Sequence, residues 1–373
     1  MNKTIYKYLF YEFIKYFTAT LFALAAIVWT IQAVNFLDLI TEDGHAFSVY
    51  FYYSLLTLSK VLTKLIPFCF LISTVLTILK LEKDNELIVL WTSSLNKIYV
   101  VNHFIRVSIL IMLFQLLLTT LLNPNLLNLS RSILKNSELK FVSSMFKVKQ
   151  FNDTVEDLTI FVDKKNGKSF KNILIRDELA VLSSVGGKSS TIIAKSGYIS
   201  EDDEYLILND GNIQKLDSNG NVNIVKFQKT TFNLSGLQTK SISKPKMQET
   251  PTMHILKCLK GENVNMHNCN PTKESKMNIV IEINKRIGMP FYIPLISLVC
   301  CFLLTSRRDT KAYHYNKYIY SFIGVVILTL AEISVRYSGI SWNHTALYYL
   351  IPTGMIPIFY LILLRKFKYE NLH

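Results

Sequence analysis

The sequence lacks the short motifs that would mark this chain as an enzyme acting on its own. Neither Gly-x-Ser-x-Gly nor His-Glu-x-x-His occurs in its 373 residues, and these patterns belong to common serine and zinc hydrolases. Gly187-Lys188-Ser189 resembles the end of a P-loop, but Leu182 occupies the position of the required first glycine. We therefore predict no catalytic residue, no metal and no cofactor in this chain, with any ATP bound and hydrolysed by a partner subunit.

Cysteine is scarce, with five residues in the chain, so no disulfide framework is expected. Cys69, Cys300 and Cys301 lie within apolar stretches and are expected to be packing residues. Cys258 and Cys269 lie outside these stretches, and the sequence leaves open whether they form a disulfide. Their spacing from the neighbouring histidines fits no standard zinc pattern.

Long apolar stretches are what the chain has in abundance. Half of the residues are hydrophobic and the mean hydropathy is +0.26, and a membrane-spanning helix needs about 20 apolar residues in a row. The candidate spans lie at about 13–37, 47–79, 98–122, 287–305, 318–335 and 345–364. The first is too long for a cleavable signal peptide and is expected to be a retained helix. The sequence therefore predicts a membrane protein with six transmembrane helices.

The net charge is +14, and basic residues recur at the ends of the predicted spans. Basic residues precede span 1, separate spans 2 and 3, separate spans 4 and 5, and follow span 6, whereas the loop after span 1 carries Glu42 and Asp43. The positive-inside rule then places both termini in the cytoplasm and residues 124–277 outside it. This placement of charge also argues against binding to nucleic acid.

The segment between spans 3 and 4 has the pattern of an antiparallel β domain. Apolar and polar residues alternate in stretches such as 158–162, 171–175, 205–208 and 222–227. Asn166-Gly167, Asn209-Asp210-Gly211 and Ser218-Asn219-Gly220 are typical of tight turns, because these residues tolerate positive φ. We predict a jelly-roll-like β domain within 124–277, including a linker with a short helix near 253–260, between helical parts at 1–123 and 278–373.

A short amphipathic stretch lies between spans 2 and 3, at about 81–94. Leu87, Leu90 and Trp91 share one face of a helix there, and Glu86 lies beside them. The pattern fits a helix lying on the membrane surface and equally a helix that docks onto a cytoplasmic partner.

Lys60, Lys64 and Glu332 stand inside predicted spans and Arg336 directly follows one, at depths where a charge is costly. At about 1.5 Å per residue, Lys60, Lys64, Glu332 and Arg336 lie roughly 21–28 Å from the inner ends of their helices, in or near the outer leaflet. Lys60 and Lys64 share a helix face, which suits a site for an anionic lipid headgroup. The alternative is that these side chains reach the interface, with Glu332 neutralising Arg336 or Lys64.

Three stretches resemble the LptF/LptG family, the permease subunits of the lipopolysaccharide-exporting ABC transporter. They are Phe36-Leu-Asp-Leu-Ile-Thr-Glu-Asp-Gly44, the run from Ile66-Pro-Phe to Leu90, and Glu282-Ile-Asn-Lys-Arg-Ile287. The plan of three spans, a β domain and three spans covers nearly the whole chain. Within the family, the first stretch and Lys7-Tyr-Leu-Phe-Tyr-Glu12 resemble LptF more than LptG.

The resemblance implies a mechanism and partners. The chain would pair with an LptG-like paralogue and an LptB-like ATPase dimer in the bacterial inner membrane. It would extract lipopolysaccharide and pass it through its periplasmic β domain to LptC- and LptA-like proteins. Glu86, Leu87, Leu90 and Trp91 would couple to the ATPase, and Lys60, Lys64 and Arg336 would contact the headgroup.

Two other functions remain open at this stage. The chain could be the LptG paralogue, or a membrane scaffold that displays a β domain without transporting anything. A scaffold would need no ATPase partner, so the proteins that copurify with the chain distinguish it from a transport subunit.

Overall fold

The architecture comes from a computed structural model that describes most of the chain. The described residues are 2–41, 46–93, 95–137, 146, 148–155, 158–178, 189–200, 205–216, 222–234, 245–262, 264, 266, 269, 272–305 and 311–370.

Helices make up both ends of the chain. The described α-helices are α1 (Asn2–Asn35), α2 (Asp38–Thr41), α3 (Phe47–Lys83), α4 (Glu86–Thr92), α5 (Lys97–Leu117), α6 (Asn123–Ser137), α7 (Thr252–Leu259), α8 (Lys273–Gly288), α9 (Tyr292–Cys301), α10 (Lys311–Tyr337) and α11 (Trp342–Glu370). A π-helical turn, Leu118–Leu122, joins α5 to α6, and 3₁₀ turns occur at Met247–Glu249, Met289–Phe291 and Phe302–Thr305.

Six helical stretches among the described residues are long and apolar enough to cross a membrane. They are Thr4–Ile40, Phe47–Lys83, Lys97–Leu134, Lys273–Thr305, Tyr315–Tyr337 and Trp342–Lys368. The predicted membrane fold with six transmembrane helices and an inserted β domain is therefore confirmed.

The chain divides into two compact units. One is mainly helical and contains Met1–Ile31, Leu56–Asn128 and Lys246–His373, and the other contains Gln32–Leu55 and Leu129–Pro245. In the helical unit, every residue of α9 is buried, and α9 packs against α5, α10 and α11. A helix that is apolar on all sides belongs at the centre of a bundle, where neighbours cover its whole surface.

The second unit contains one six-stranded antiparallel sheet. Its strands are β1 (Phe151–Val155), β2 (Leu158–Asn166), β3 (Ser169–Asp177), β4 (Ser189–Ile199), β5 (Tyr205–Leu216) and β6 (Val222–Asn233). Each strand pairs with the next one along the chain, in the order β1-β2-β3-β4-β5-β6. The inserted antiparallel domain is as predicted, but the described strands follow a meander, in which no non-consecutive strands pair as they would in a jelly roll.

Strand pairing in this sheet is interrupted along a single row. Asp163, Asn172, Lys195, Asp210 and Gln228 are all skipped in ladders that continue in the same register on either side. Within β3 and β4 the alternation of buried side chains changes phase beside this row. We infer that the sheet bends here, because buried residues from both sides of the row belong to one apolar cluster.

The bend explains one wrong turn prediction. Asn209-Asp210-Gly211 does not end a strand, because β5 runs through it to Leu216. The tolerance of Asp210 for positive φ (49°) is used for the bend inside the strand rather than for a turn. The turn at Asn166-Gly167 is confirmed, since it joins β2 to β3 with Gly167 at φ 62°, while 218–220 lies outside the described residues.

The link between the sheet and α8 is anchored to the helical unit. The predicted short helix is present as α7, and Cys258 at its end is bonded to Cys269 in a disulfide with a Cα–Cα distance of 5.9 Å. Ile255, Met266 and Ile279 pack around this bond in a small apolar cluster. The compact units divide at 31/32, 55/56, 128/129 and 245/246. The domain limits expected from the sequence, 124 and 277, stay a prediction.

Candidate functional site

A charged cavity of about 200 Å³ lies within the helical unit. Its walls come from helices α3, α5, α6, α8 and α10, the π-helical turn and the 3₁₀ turn at Met289–Phe291, together with Gln248 of the linker. Its lining side chains are Lys60, Thr63, Lys64, Pro67, Phe68, Gln115, Thr119, Asn123, Gln248, Glu282, Lys285, Arg286, Met289 and Glu332. Four of them are basic and two are acidic, so the cavity carries a net positive charge.

The two predicted lysines of span 2 meet in this cavity. Lys60 is half-buried and Lys64 is exposed, and neither has a carboxylate within ion-pair distance among the described residues. Their spacing of four residues places both on one face of α3. Arg336, the third predicted headgroup residue, is exposed on α10 and is not among the residues that line the cavity.

The two acidic residues of the cavity are both held by cations of α8. Lys285 Nζ lies 3.4 Å from Glu332 Oε1, and both side chains are partly exposed. Arg286 Nε donates to Glu282 Oε1 at 2.9 Å, and both of these side chains are largely buried. Glu332 therefore neutralises Lys285 of α8 rather than Arg336 or Lys64.

Arg286 also bonds the linker to the C-terminal end of α8. Besides Glu282, its guanidinium donates at 2.8–3.3 Å to oxygens of Met247, Gln248, Thr250 and Thr252. An Arg side chain offers five N–H donors in a fixed plane, so it can serve several acceptors at once. This bonding leaves Arg286 less free to meet a ligand than Lys60 or Lys64.

Proline residues interrupt the helices around the cavity, and neighbouring side chains compensate for them. Pro67 has no N–H for the carbonyl of Thr63, four residues earlier, and Gln115 Nε2 donates to that carbonyl at 3.1 Å. Gln115 is buried, and its Oε1 has no hydrogen-bond partner among the described residues.

The same face of the α5 segment serves a second proline. Pro290 cannot donate to the carbonyl of Arg286, and Thr119 Oγ1 donates to it at 2.7 Å. Thr119 lies in the π-helical turn, a feature often found near functional sites. Gln115 of α5 and Thr119 of the π-helical turn thus bond to α3 at Pro67 and to α8 just before Pro290, beside the cavity.

The arrangement can bind an anion beside an apolar wall. Pro67, Phe68 and Met289 supply apolar surface. Lys60 and Lys64 supply positive charge that no carboxylate of the described residues neutralises in an ion pair. A charge in a low-dielectric setting needs a partner, so an anionic amphiphile is the ligand that suits this cavity.

The ion pairs of the cavity were not predicted from the sequence. Glu282, Lys285 and Arg286 were visible as a charged stretch before span 4, but nothing local shows that they face Lys60 and Lys64. The periodicity of α8 puts 282 and 286 on one face, and this spacing was the only signal available for the pair.

At the other end of α3, α4 begins after a sharp reversal of the chain. Asn85 adopts φ 58° and separates α3 from α4. Tyr8 Oη of α1 donates to Glu86 Oε1 at 2.8 Å. Lys80 of α3 is 2.9 Å from Glu12 of α1, so two polar contacts hold this reversal against α1.

The apolar face of α4 points into the helical unit. Leu87 is buried, and Leu90 and Trp91 are partly buried against the main apolar cluster. Ile88 and Val89 are 56% and 64% exposed, and these values show that they form the outward surface. Of the predicted coupling residues, Leu87, Leu90 and Trp91 therefore pack α4 against the helical unit. Glu86 lies at the start of α4.

A second opening, of about 820 Å³, lies in the β unit. Lys149, Lys164, Lys165 and Lys171 line it together with Phe170, among others. Lys164 and Lys171 are direct cross-strand partners, and like charges in such positions repel. Burial lowers the pKa of Lys165, whose ammonium lies 5.8 Å from the centre of the Phe170 ring. The positive charge here also favours an anion.

Two comparisons place the chain among known proteins. The family model of the lipopolysaccharide export system permease LptF/LptG matches residues 7–366. An uncharacterised protein of Rickettsia prowazekii (strain Madrid E) is 26% identical over 284 residues, which are 74% of this chain and 76% of that protein. Because the family model covers nearly the whole chain, the chain belongs to the LptF/LptG family of lipopolysaccharide export permeases.

Proposed function

We propose that this chain is the LptF-type permease subunit of an ABC transporter that extracts lipopolysaccharide from the bacterial inner membrane. Membership of the family implies a transport subunit of the lipopolysaccharide export complex rather than an enzyme. The observation that carries the proposal for this chain is the cavity, in which Lys60 and Lys64 stand beside an apolar wall. An amphiphile with an anionic head and acyl chains needs both of these surfaces.

The proposed headgroup contacts begin with Lys60 and Lys64, because they line the cavity and have no ion-pair partner among the described residues. Arg336 is exposed on α10 and would meet the headgroup outside the cavity lining. The amphiphile would then pass into the β domain, which would be periplasmic, and the lysine-lined opening there would attract its charged groups. Both termini would lie in the cytoplasm.

The proposed partners follow from what the chain lacks. It has no nucleotide-binding motif, so ATP would be bound by an LptB-like ATPase dimer, and an LptG-like paralogue would complete the membrane pore. LptC- and LptA-like proteins would receive the substrate. The choice of LptF over LptG depends on the residues at 7–12 and 36–44, and LptG is the alternative.

Helix α4 is proposed to couple the ATPase to the membrane helices. Leu87, Leu90 and Trp91 would hold it in place, so that a push on its outward surface moves α1 and α3 through the Tyr8–Glu86 and Lys80–Glu12 contacts. Ile88 and Val89 would touch the ATPase, with Glu86 at the edge of the contact.

The test is copurification of the tagged chain in mild detergent, with partners identified by mass spectrometry. We expect a six-span paralogue and a P-loop ATPase, and we expect Glu86→Lys to lose the ATPase while keeping the paralogue. Asp84→Lys, the same charge reversal at an exposed position two residues earlier, is the matched control. Recovery of the chain alone would favour the scaffold, and retention of the ATPase by Glu86→Lys would disprove the coupling role.

A further inference from the structure

The cavity holds its four cations in different ways. Arg286 is held by Glu282 and by oxygens of the linker. Within the described part of the chain, Lys285 has one ion-pair contact, in which its Nζ lies 3.4 Å from Glu332 Oε1. Lys60 and Lys64 have no ion pair among the described residues. Of the two cations with an ion-pair partner, Lys285 is therefore the one whose partner a ligand can replace more easily.

We propose that Glu332 determines the charge specificity of the cavity by holding Lys285 in a pair that a strongly anionic ligand displaces. The proposal rests on the proposed function, since it assumes that the cavity takes an anionic headgroup. It adds the ligand class: a phosphomonoester or another group with about two negative charges, in preference to a singly charged phosphodiester.

The geometry makes the Lys285–Glu332 pair exchangeable. The two side chains are 33% and 39% exposed, whereas those of Arg286 and Glu282 are 5% and 14% exposed. Partly exposed ion pairs are weak, because water competes for both charges. When Lys285 turns to a ligand, Glu332 can be hydrated through its exposed side, while Glu282 would be left buried without a partner if Arg286 moved.

The exchange separates ligands by charge. A singly charged headgroup is neutralised by Lys60 and Lys64 and gains little from a third cation. It therefore leaves the Lys285–Glu332 pair intact. A doubly charged headgroup gains enough from Lys285 to displace Glu332, whose carboxylate still opposes it. Glu332 thus limits the affinity of the cavity for the headgroup. This limit suits transport, because a transported ligand must dissociate as well as bind.

The experiment measures binding of short-chain lipids to the purified full chain, with whatever subunits copurify, in neutral detergent. The probes are dihexanoyl phosphatidic acid, phosphatidylglycerol and phosphatidylcholine, and inorganic phosphate tests whether the lipid is needed at all. We expect Glu332→Gln to bind the phosphatidic acid about tenfold tighter, since it removes one nearby negative charge and frees Lys285. Phosphatidylcholine binding should not change.

Three further variants test whether the effect of Glu332→Gln depends on its charge, its position and Lys285. Glu274→Gln, the same loss of charge at an exposed position of α8 outside the cavity, should behave like the parent chain. Glu332→Asp keeps the charge and should restore affinity close to that of the parent. In a Lys285→Gln background, Glu332→Gln should tighten binding less than about threefold, because no lysine remains to be freed.

The outcomes are distinguishable. If Glu332→Gln binds phosphatidic acid no tighter than the parent while Lys60→Glu with Lys64→Glu abolishes binding, the cavity takes anions but Glu332 does not limit them. If the tenfold gain in affinity persists in the Lys285→Gln background, Glu332 acts only by electrostatic repulsion of the ligand. That result would disprove the displacement of Glu332 from Lys285. If the lysine reversal leaves binding unchanged, the headgroup cavity of the proposed function fails as well.

Discussion

At the scale of single residues, Arg286 joins three parts of the helical unit. It is buried, pairs with Glu282 one turn earlier on α8, and donates to the linker between the β domain and α8. Its own carbonyl accepts from Thr119 of the π-helical turn. Arg286 therefore connects α8, the linker and the π-helical turn beside the cavity.

Replacing Arg286 by Ala should lower the free energy of unfolding by about 3–5 kcal/mol, because Glu282 would be left buried without a cation. Arg286→Lys should lose less, since it keeps the charge but cannot reach the linker carbonyls in one plane. The measurement is SDS titration of the purified chain, followed by a thiol dye that reports exposure of its buried cysteines.

Arg336→Ala is the matched control for this prediction, because Arg336 is exposed on α10. Surface substitutions of this kind change stability by about 0.5 kcal/mol or less. Equal stability of the Arg286→Ala and Arg336→Ala variants would mean that the buried pair adds nothing to the fold.

At the scale of elements, interrupted helices are held together by side chains that replace missing backbone donors. Pro67 and Pro290 are compensated by Gln115 and Thr119 at the cavity. Elsewhere, Thr252 Oγ1 donates to the carbonyl of Thr120, four residues before Pro124, and Tyr292 Oη donates to that of Tyr348, four residues before Pro352. In lipid an unpaired carbonyl is costly, so these four carbonyls are stabilised by the polar side chains that bond to them.

Thr119→Val should cost about 1 kcal/mol in the parent chain and clearly less in a Pro290→Ala background. Alanine restores the N–H that proline lacks, so the carbonyl of Arg286 no longer depends on the Thr119 hydroxyl. A double-mutant cycle by SDS titration measures the coupling.

The control for this cycle is Thr120→Val, because the Thr120 hydroxyl donates to the carbonyl of Leu116 in its own helical segment. Its cost should be the same in the parent chain and in the Pro290→Ala background. Independent effects of Thr119→Val and Pro290→Ala would show that the hydroxyl does not replace the missing donor.

At the scale of the whole molecule, the number of spans determines which parts lie on the same side of the membrane. The six candidate spans among the described residues would return the chain to the side on which it started, and the β domain is inserted after the third. Lys and Arg are frequent near the termini and at 306–317, so the positive-inside rule predicts that this side is the cytoplasmic one.

A fluorescent protein that matures only in the cytoplasm should be bright when fused after residue 373. Alkaline phosphatase, which is active only outside the cytoplasm, should be active when inserted at the turn after Asn166. Truncation after Tyr337 removes one span and should reverse the result for a C-terminal reporter. Equal activity of the same reporter at both sites would contradict the topology.

Several features of the fold and the site could be predicted because their causes are local. Runs of about 20 apolar residues make a helix in lipid whatever the rest of the chain does. Lys60 and Lys64 share a face of α3 through their spacing alone, and Asn166-Gly167 suits a tight turn. Asn209-Asp210-Gly211 was misassigned, because the same φ tolerance serves a turn and a bend within a strand.

The sequence by itself determined the six spans, the inserted sheet and the amphipathic pattern of α4, since each follows from composition or periodicity within one segment. Only the tertiary structure decided that Glu332 meets Lys285, which lies 47 residues away in the chain, and that Leu87 faces inward while Val89 faces out. Such contacts depend on how separate helices pack, and side-chain periodicity within one helix carries no information about its neighbour.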